Sequence, residues 1–123
     1  MKPAEYRVIS ESLGITRAFL AERSGLSVER VYQIGLPSRQ LDVPERAAIA
    51  LLDLATAFDE ALADATERYR DAQADGLAEA ITCHTDAEAF HAEHPKLDGW
   101  PLSSQWPLLV QLMLALKAPV VYA

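Results

Sequence analysis

Four side chains able to ligate a metal or act as a nucleophile or base fall in one short stretch: Cys83, His84, His91 and His94. Their pattern, C-H-x6-H-x2-H, lacks the paired cysteines of structural zinc sites. Cys83 and His84 are adjacent, so on a strand they point to opposite faces. His91 and His94 share a helix face, but close to that helix's end. A lone cysteine of this kind reads as a small buried hydrophobe. No metal and no cofactor are therefore expected. Acidic residues are plentiful, but none stands against a histidine and a nucleophile in a recognisable order. Asp59, Glu60, Asp64, Glu67 and Asp71 read as the solvated face of a helix, and no glycine-rich phosphate loop is present. The expectation is a protein that is not an enzyme.

The more informative chemistry is that of surface recognition. Residues 16–34, TRAFLAERSGLSVERVYQI, predict two short helices around a tight turn at Gly25. Ala21 is small where a second helix must cross closely, and Gly25 tolerates the positive φ such a turn requires. Val31, with Leu20, Leu26 and Ile34, locks the second helix against the first. This is the usual frame for laying a helix in the DNA major groove.

Charge bears on that reading. The net charge is −7, which disfavours contact with phosphates. Residues 1–55 nevertheless carry seven basic and seven acidic side chains, and six of those cations are arginine. Residues 56–123 carry four basic and eleven acidic groups, hence the whole excess. Arginine is suited to bidentate contacts with phosphate or guanine. The single cysteine allows no intrachain disulfide, the N-terminus has no apolar signal region, and no segment is long enough to span a bilayer. A cytoplasmic protein without membrane contact is expected.

The elements that must position the recognition stretch are predominantly helical. A first helix is predicted over Pro3 to Leu13, stopped by Gly14. The second starts after Thr16 and the third after Ser27, both good N-caps. Asp42 and Glu45, three apart, predict a cap for a long fourth helix over residues 43–74, with Pro44 in its first turn and Gly76 as its stop. Its apolar stripe is assigned to Ala48, Leu51, Ala55, Phe58, Leu62, Ala65 and Tyr69. Beyond it, residues 80–85 and the terminal Pro119 to Tyr122 read as strands, paired antiparallel. Asp86 caps a short helix to about Glu93. Ser103 or Ser104 caps a last helix over Gln105 to Lys117. That helix is apolar all round and needs cover on every side, which a short chain provides most simply by pairing with a second copy; the alternative is a central core helix wrapped by the fourth helix and the small sheet. Trp106, Leu109, Val110, Leu112, Met113 and Leu116 are the expected dimerisation residues. Trp100 and Trp106, each before a proline, are expected to anchor the C-terminal fold.

On Thr16, Arg17, Leu20, Ala21, Gly25, Ser27 and Val31 the chain resembles the lambda-repressor-like (XRE/Cro) helix-turn-helix family, over about residues 3–60. Through AITCHTDAEAFHAEHP, the following GWPLS and the closing apolar helix, its layout is also similar to anti-CRISPR-associated repressors and their bacterial relatives of the same length. The resemblance implies a homodimeric repressor that binds an inverted repeat in double-stranded DNA. Carried over by position, it makes Ser27, Val28, Glu29, Tyr32 and Gln33 base-edge candidates. Arg30 would reach guanine or phosphate, and Arg17 and Arg39 would clamp phosphates. There are departures: Ile34-Gly35-Leu36-Pro37 stands where many members have Trp-Glu-x-Gly, Val28 is apolar, and Glu29 repels phosphate. The expected architecture is mainly α: a helix-turn-helix domain over 1–60 and a C-terminal dimerisation region over 61–123 that shares the long helix. The expected function is sequence-specific transcriptional regulation, with no small-molecule ligand. A protein-interaction module on the same frame, antitoxin-like or adaptor-like, is the alternative.

Overall fold

A computed structural model describes residues 1–77 and 80–123. The protein is mainly α, and its chain divides into two compact units, Met1–Thr56 and Ala57–Ala123. The expected boundary lay at residue 60, inside the same long helix.

In the first unit, α1 (Pro3–Ser12), α2 (Arg17–Ser24), α3 (Val28–Ile34) and the start of α4 (Glu45–Ala74) bury one apolar cluster. The boundaries follow from local chemistry. The Glu5 carboxylate accepts from the Lys2 amide at 2.7 Å, tying down an orphan donor ahead of α1. Thr16 Oγ1 accepts from the Phe19 amide and Ser27 Oγ from the Arg30 amide, each at 3.1 Å, so both expected caps are made. Gly25 ends α2 at φ +68°, and the Leu26 amide donates back to the Ala21 carbonyl at 3.0 Å. Tyr6, Leu20, Ile34 and Leu51 are almost wholly enclosed.

The long helix starts at Glu45, two residues later than expected. The residue before a proline is disfavoured in helical geometry, which keeps Val43 out. The Pro44 carbonyl instead accepts from the amides of Ala47 and Ala48. The helix also buries a different flank. Ala47, Leu51, Leu54, Phe58, Ala61 and Ala65 form the inward seam, while Ala48, Ala55, Leu62 and Tyr69 are half-buried. Both sets have heptad spacing and share Leu51, Phe58 and Ala65. With alanine in both flanks, spacing alone does not decide which one turns inward.

The second unit holds the rest of α4, β1 (Ile81–Cys83), α5 (Ala87–Glu93), 3-10 turns at Pro95–Leu97 and Leu102–Ser104, α6 (Gln105–Leu116) and β2 (Val120–Tyr122). Asp86 caps α5 as expected, accepting from the Ala89 amide at 2.8 Å. Of the two serines expected to cap α6, Ser104 holds the cap position without capping. Ser104 makes no side-chain cap bond, its hydroxyl is buried without a partner among the described residues, and a 3-10 turn leads into the helix instead.

The two strands pair as expected but in parallel, Ile81 opposite Val120 and Cys83 opposite Tyr122, which corrects the antiparallel assignment. The connection between them contains α5, both 3-10 turns and α6. Such a crossover brings the chain back to the end from which it started, the geometry a parallel pair needs. Satisfying open strand edges fixes that the strands pair, not the direction in which they run.

Candidate nucleic-acid interface

The turn at Gly25 turns one side of α3 outward. Val31 and Ile34 are buried, whereas Ser27, Val28, Glu29 and Tyr32 are exposed and Arg30 and Gln33 half-exposed. The structure thus gathers on one short helix every base-edge candidate named from the sequence. An exposed valine at the first position of α3, 49 % accessible, buys the fold nothing. Gln33 Nε2 donates to Glu29 Oε1 at 3.1 Å, one helical turn away. That bond offsets part of the Glu29 charge and holds the Gln33 amide in a defined orientation.

Arg17, the first residue of α2, lies over the Tyr32 ring with its guanidinium 4.5 Å from the ring centre. A cleft of about 190 Å³ opens beside it, with Arg7, Ser10, Thr16, Arg17 and Tyr32 among its walls. Arg17 is exposed at the start of a helix and, among the described residues, makes no ion pair with a carboxylate. Arg39 is exposed in the loop after α3.

Two positioning residues were missed in the sequence. Arg46 Nη2, from α4, donates to the Gly25 carbonyl at 3.2 Å and braces the turn. Arg7 donates to the Gly35 carbonyl at 3.1 Å and pairs with Glu11 at 3.0 Å, holding the end of α3 against α1. Both act on backbone carbonyls of residues distant in sequence, so no spacing rule reveals them.

The expected dimerisation set is divided. Leu109, Leu112 and Leu116 are buried in their own unit with Leu108, the core placement that stood as the alternative to a subunit interface. Helix α6 is enclosed along one side by the unit that carries it. Trp106, Val110 and Met113 remain exposed, and Leu114 joins them at 66 % accessibility. Trp100 is buried and stacks on Phe58 with ring centres 6.3 Å apart, so it anchors the fold as expected, while Trp106 does not.

The histidines also behave differently from the expectation. His84 Nε2 lies 2.6 Å from Glu93 Oε1, and His94 Nε2 lies 3.5 Å from Glu93 Oε2. The Tyr69 hydroxyl accepts from the Thr82 amide at 3.2 Å and donates to Glu93 Oε2 at 3.0 Å, where Arg68 also donates. Burial pushes the His94 imidazole down to about 4, with Glu93 opposing and Arg68 and His84 adding to the shift. Burial of Glu93 disfavours its charge, but the bond to His84, the nearby His94 and the Tyr69 hydroxyl outweigh it and hold the carboxyl below its ordinary value. His91 takes no part, since its Nε2 lies 2.6 Å from the Trp100 carbonyl. Cys83 is a buried free thiol, as expected. Glu93, passed over in the sequence as one more acid, is the hub of this cluster.

No protein-family model and no curated protein matches the chain. The likeness to helix-turn-helix repressors therefore rests on the chain's own residues. Among the described residues, no helix is long and apolar enough to cross a membrane.

Proposed function

We propose that the protein is a sequence-specific DNA-binding regulator that lays α3 of each of two subunits in successive major grooves. The observation that carries this reading is the outward side of α3. Six hydrogen-bonding or apolar side chains, Ser27, Val28, Glu29, Arg30, Tyr32 and Gln33, face solvent or its margin on or at the start of this helix. Val28 suits a thymine methyl, Gln33 an adenine edge, and Arg30 a guanine or a phosphate. Arg17 and Arg39 supply phosphate contacts, which set register rather than sequence.

Dimerisation through α6 is supported by its uncovered side. Burying one large apolar side chain contributes roughly 1.5–3 kcal/mol, so Trp106, Val110, Met113 and Leu114 together favour association. Dimers that read DNA with one such helix per subunit use half-sites about one turn of DNA apart.

The test is retardation of duplex DNA from upstream of the chain's own gene, at low salt. Arg17→Ala should weaken binding to all sequences and reduce the salt slope by about 1. Gln33→Ala should change the preferred sequence instead. A folded protein that retards no duplex, but co-purifies with a non-nucleic-acid partner, would select the protein-interaction module.

A further inference from the structure

The histidine–carboxylate cluster of the second unit uses none of the residues invoked for DNA. We propose that His84, Glu93 and His94 form a binding site for one late first-row divalent transition ion, Zn²⁺ foremost, with a fourth position left to water.

The donor set favours this class. Two imidazole nitrogens and one carboxylate oxygen suit zinc and its neighbours, whereas Mg²⁺ and Ca²⁺ prefer oxygen throughout. Each of the three residues offers one ligand atom, and these atoms all lie within 4.8 Å of one another. Bonds of about 2.0–2.2 Å place tetrahedral ligands about 3.4 Å apart. His94 Nε2 lies 3.5 Å from Glu93 Oε2, the oxygen held by Tyr69 and Arg68, which brings this imidazole beside the same carboxylate. The His84–Glu93 contact of 2.6 Å has to open by somewhat less than an ångström as the ion replaces the shared proton. The widest pair has to close by little more than an ångström. Side-chain rotation supplies both movements.

The surroundings are those of a positioned ligand set. The buried Gln105 amide grips the His84 backbone from both sides, accepting from its amide at 2.7 Å and donating to its carbonyl at 2.9 Å. Glu93 Oε2 is held by Tyr69 and Arg68, which leaves Oε1 to ligate, and ligating carboxylates are commonly fixed in this way. Charge points the same way. Glu93 and Arg68 offset each other locally, while residues 57–123 carry eleven acidic and four basic side chains, a field that attracts cations. Cys83 precedes His84 but is not in the cluster.

The experiment uses the untagged full chain, stripped of metal by a chelator and titrated with Co²⁺. The expected result is one Co²⁺ per chain, with the visible absorption of a four- or five-coordinate site and no thiolate charge-transfer band, displaced by one equivalent of Zn²⁺ and not by Mg²⁺. Glu93→Gln should weaken Co²⁺ binding more than about 100-fold, and Tyr69→Phe about 10-fold, as loss of an outer partner does. In the unsubstituted protein, Zn²⁺ should shift the imidazole NMR signals of His84 and His94 and leave those of His91 in place. That readout decides the matter even if a variant fails to fold. A folded chain that takes up neither ion in molar excess overturns the proposal. So does binding that moves His91 or the Cys83 thiol while His84 and His94 stay unchanged.

Discussion

The two units treat polar side chains in opposite ways. In the first, the informative groups stand outside. Ser27, Glu29 and Tyr32 are exposed, and the interactions that shape them are local: a cap, an i to i+4 bond, an arginine over a ring. In the second, the informative groups lie inside. Glu93 is reached by residues from α4, from the end of β1 and from its own neighbour His94. A surface of the first kind costs little to build and is free to meet a partner. A cluster of the second kind is expensive unless its members satisfy one another, and so it specifies how its unit packs. The contrast is one of placement: exposed polar groups on α3 in the first unit, and a cluster drawn together from several elements in the second.

The largest expected effect probes the inside. Leu112 is fully buried, so Leu112→Ala should cost about 2–5 kcal/mol in chemical denaturation, with no dependence on protein concentration. Met113→Ser, one residue further along and exposed, should change the unfolding free energy by no more than about 0.5 kcal/mol. It should instead lower the mass seen by light scattering toward a monomer. Equal effects from the two substitutions would erase the distinction between the sides of α6.

Next comes the turn. At φ +68°, Gly25→Ala meets only the far end of Arg46, 4.0 Å from the new Cβ, so space is not the obstacle. The left-handed backbone is, and it should cost about 1–2 kcal/mol in the first unit. Ser27→Ala removes the α3 cap and should cost about 1 kcal/mol. Hydrogen exchange should show that loss concentrated in α3.

The smallest effect is alkaline. Burial raises the Tyr6 phenol above its ordinary value, against a weak opposing contact with the Ser24 hydroxyl at 3.4 Å. Its folded value lies above its unfolded one, near 10. Its contribution is therefore complete below about pH 10 and disappears as pH rises through the folded value. Tyr6→Phe should flatten the alkaline fall of the denaturation midpoint. It should do so only in part, because burial raises Tyr69 in the second unit as well.

The same contrast explains what was legible in the sequence. Thr16, Gly25, Ser27 and Asp86 act on backbone within a few residues, so their roles are written in local spacing, and the elements they bound fall where expected. The exposed side of α3 follows from one buried valine and one buried isoleucine. The buried flank of α4 does not, because alanines on either side of Leu51 and Phe58 present two equivalent stripes. Strand direction was hidden in the return path of α5 and α6. Glu93 was hidden more deeply, since nothing in its neighbourhood separates a hub carboxylate from a solvated one. It gains its role from Tyr69 and His84, both brought to it by the fold. The cover of α6 was open for a related reason: an all-apolar helix states that cover is needed, but not whether the unit or a second copy provides it.

Mapping a duplex onto the protein by backbone amide NMR tests the central claim most directly, using DNA enriched by the protein from a random-sequence pool. The account predicts that a defined sequence emerges and that the largest shifts fall on Arg17 and on Ser27 to Gln33. Failure to enrich any sequence, or shifts confined to residues 57–123, would contradict it.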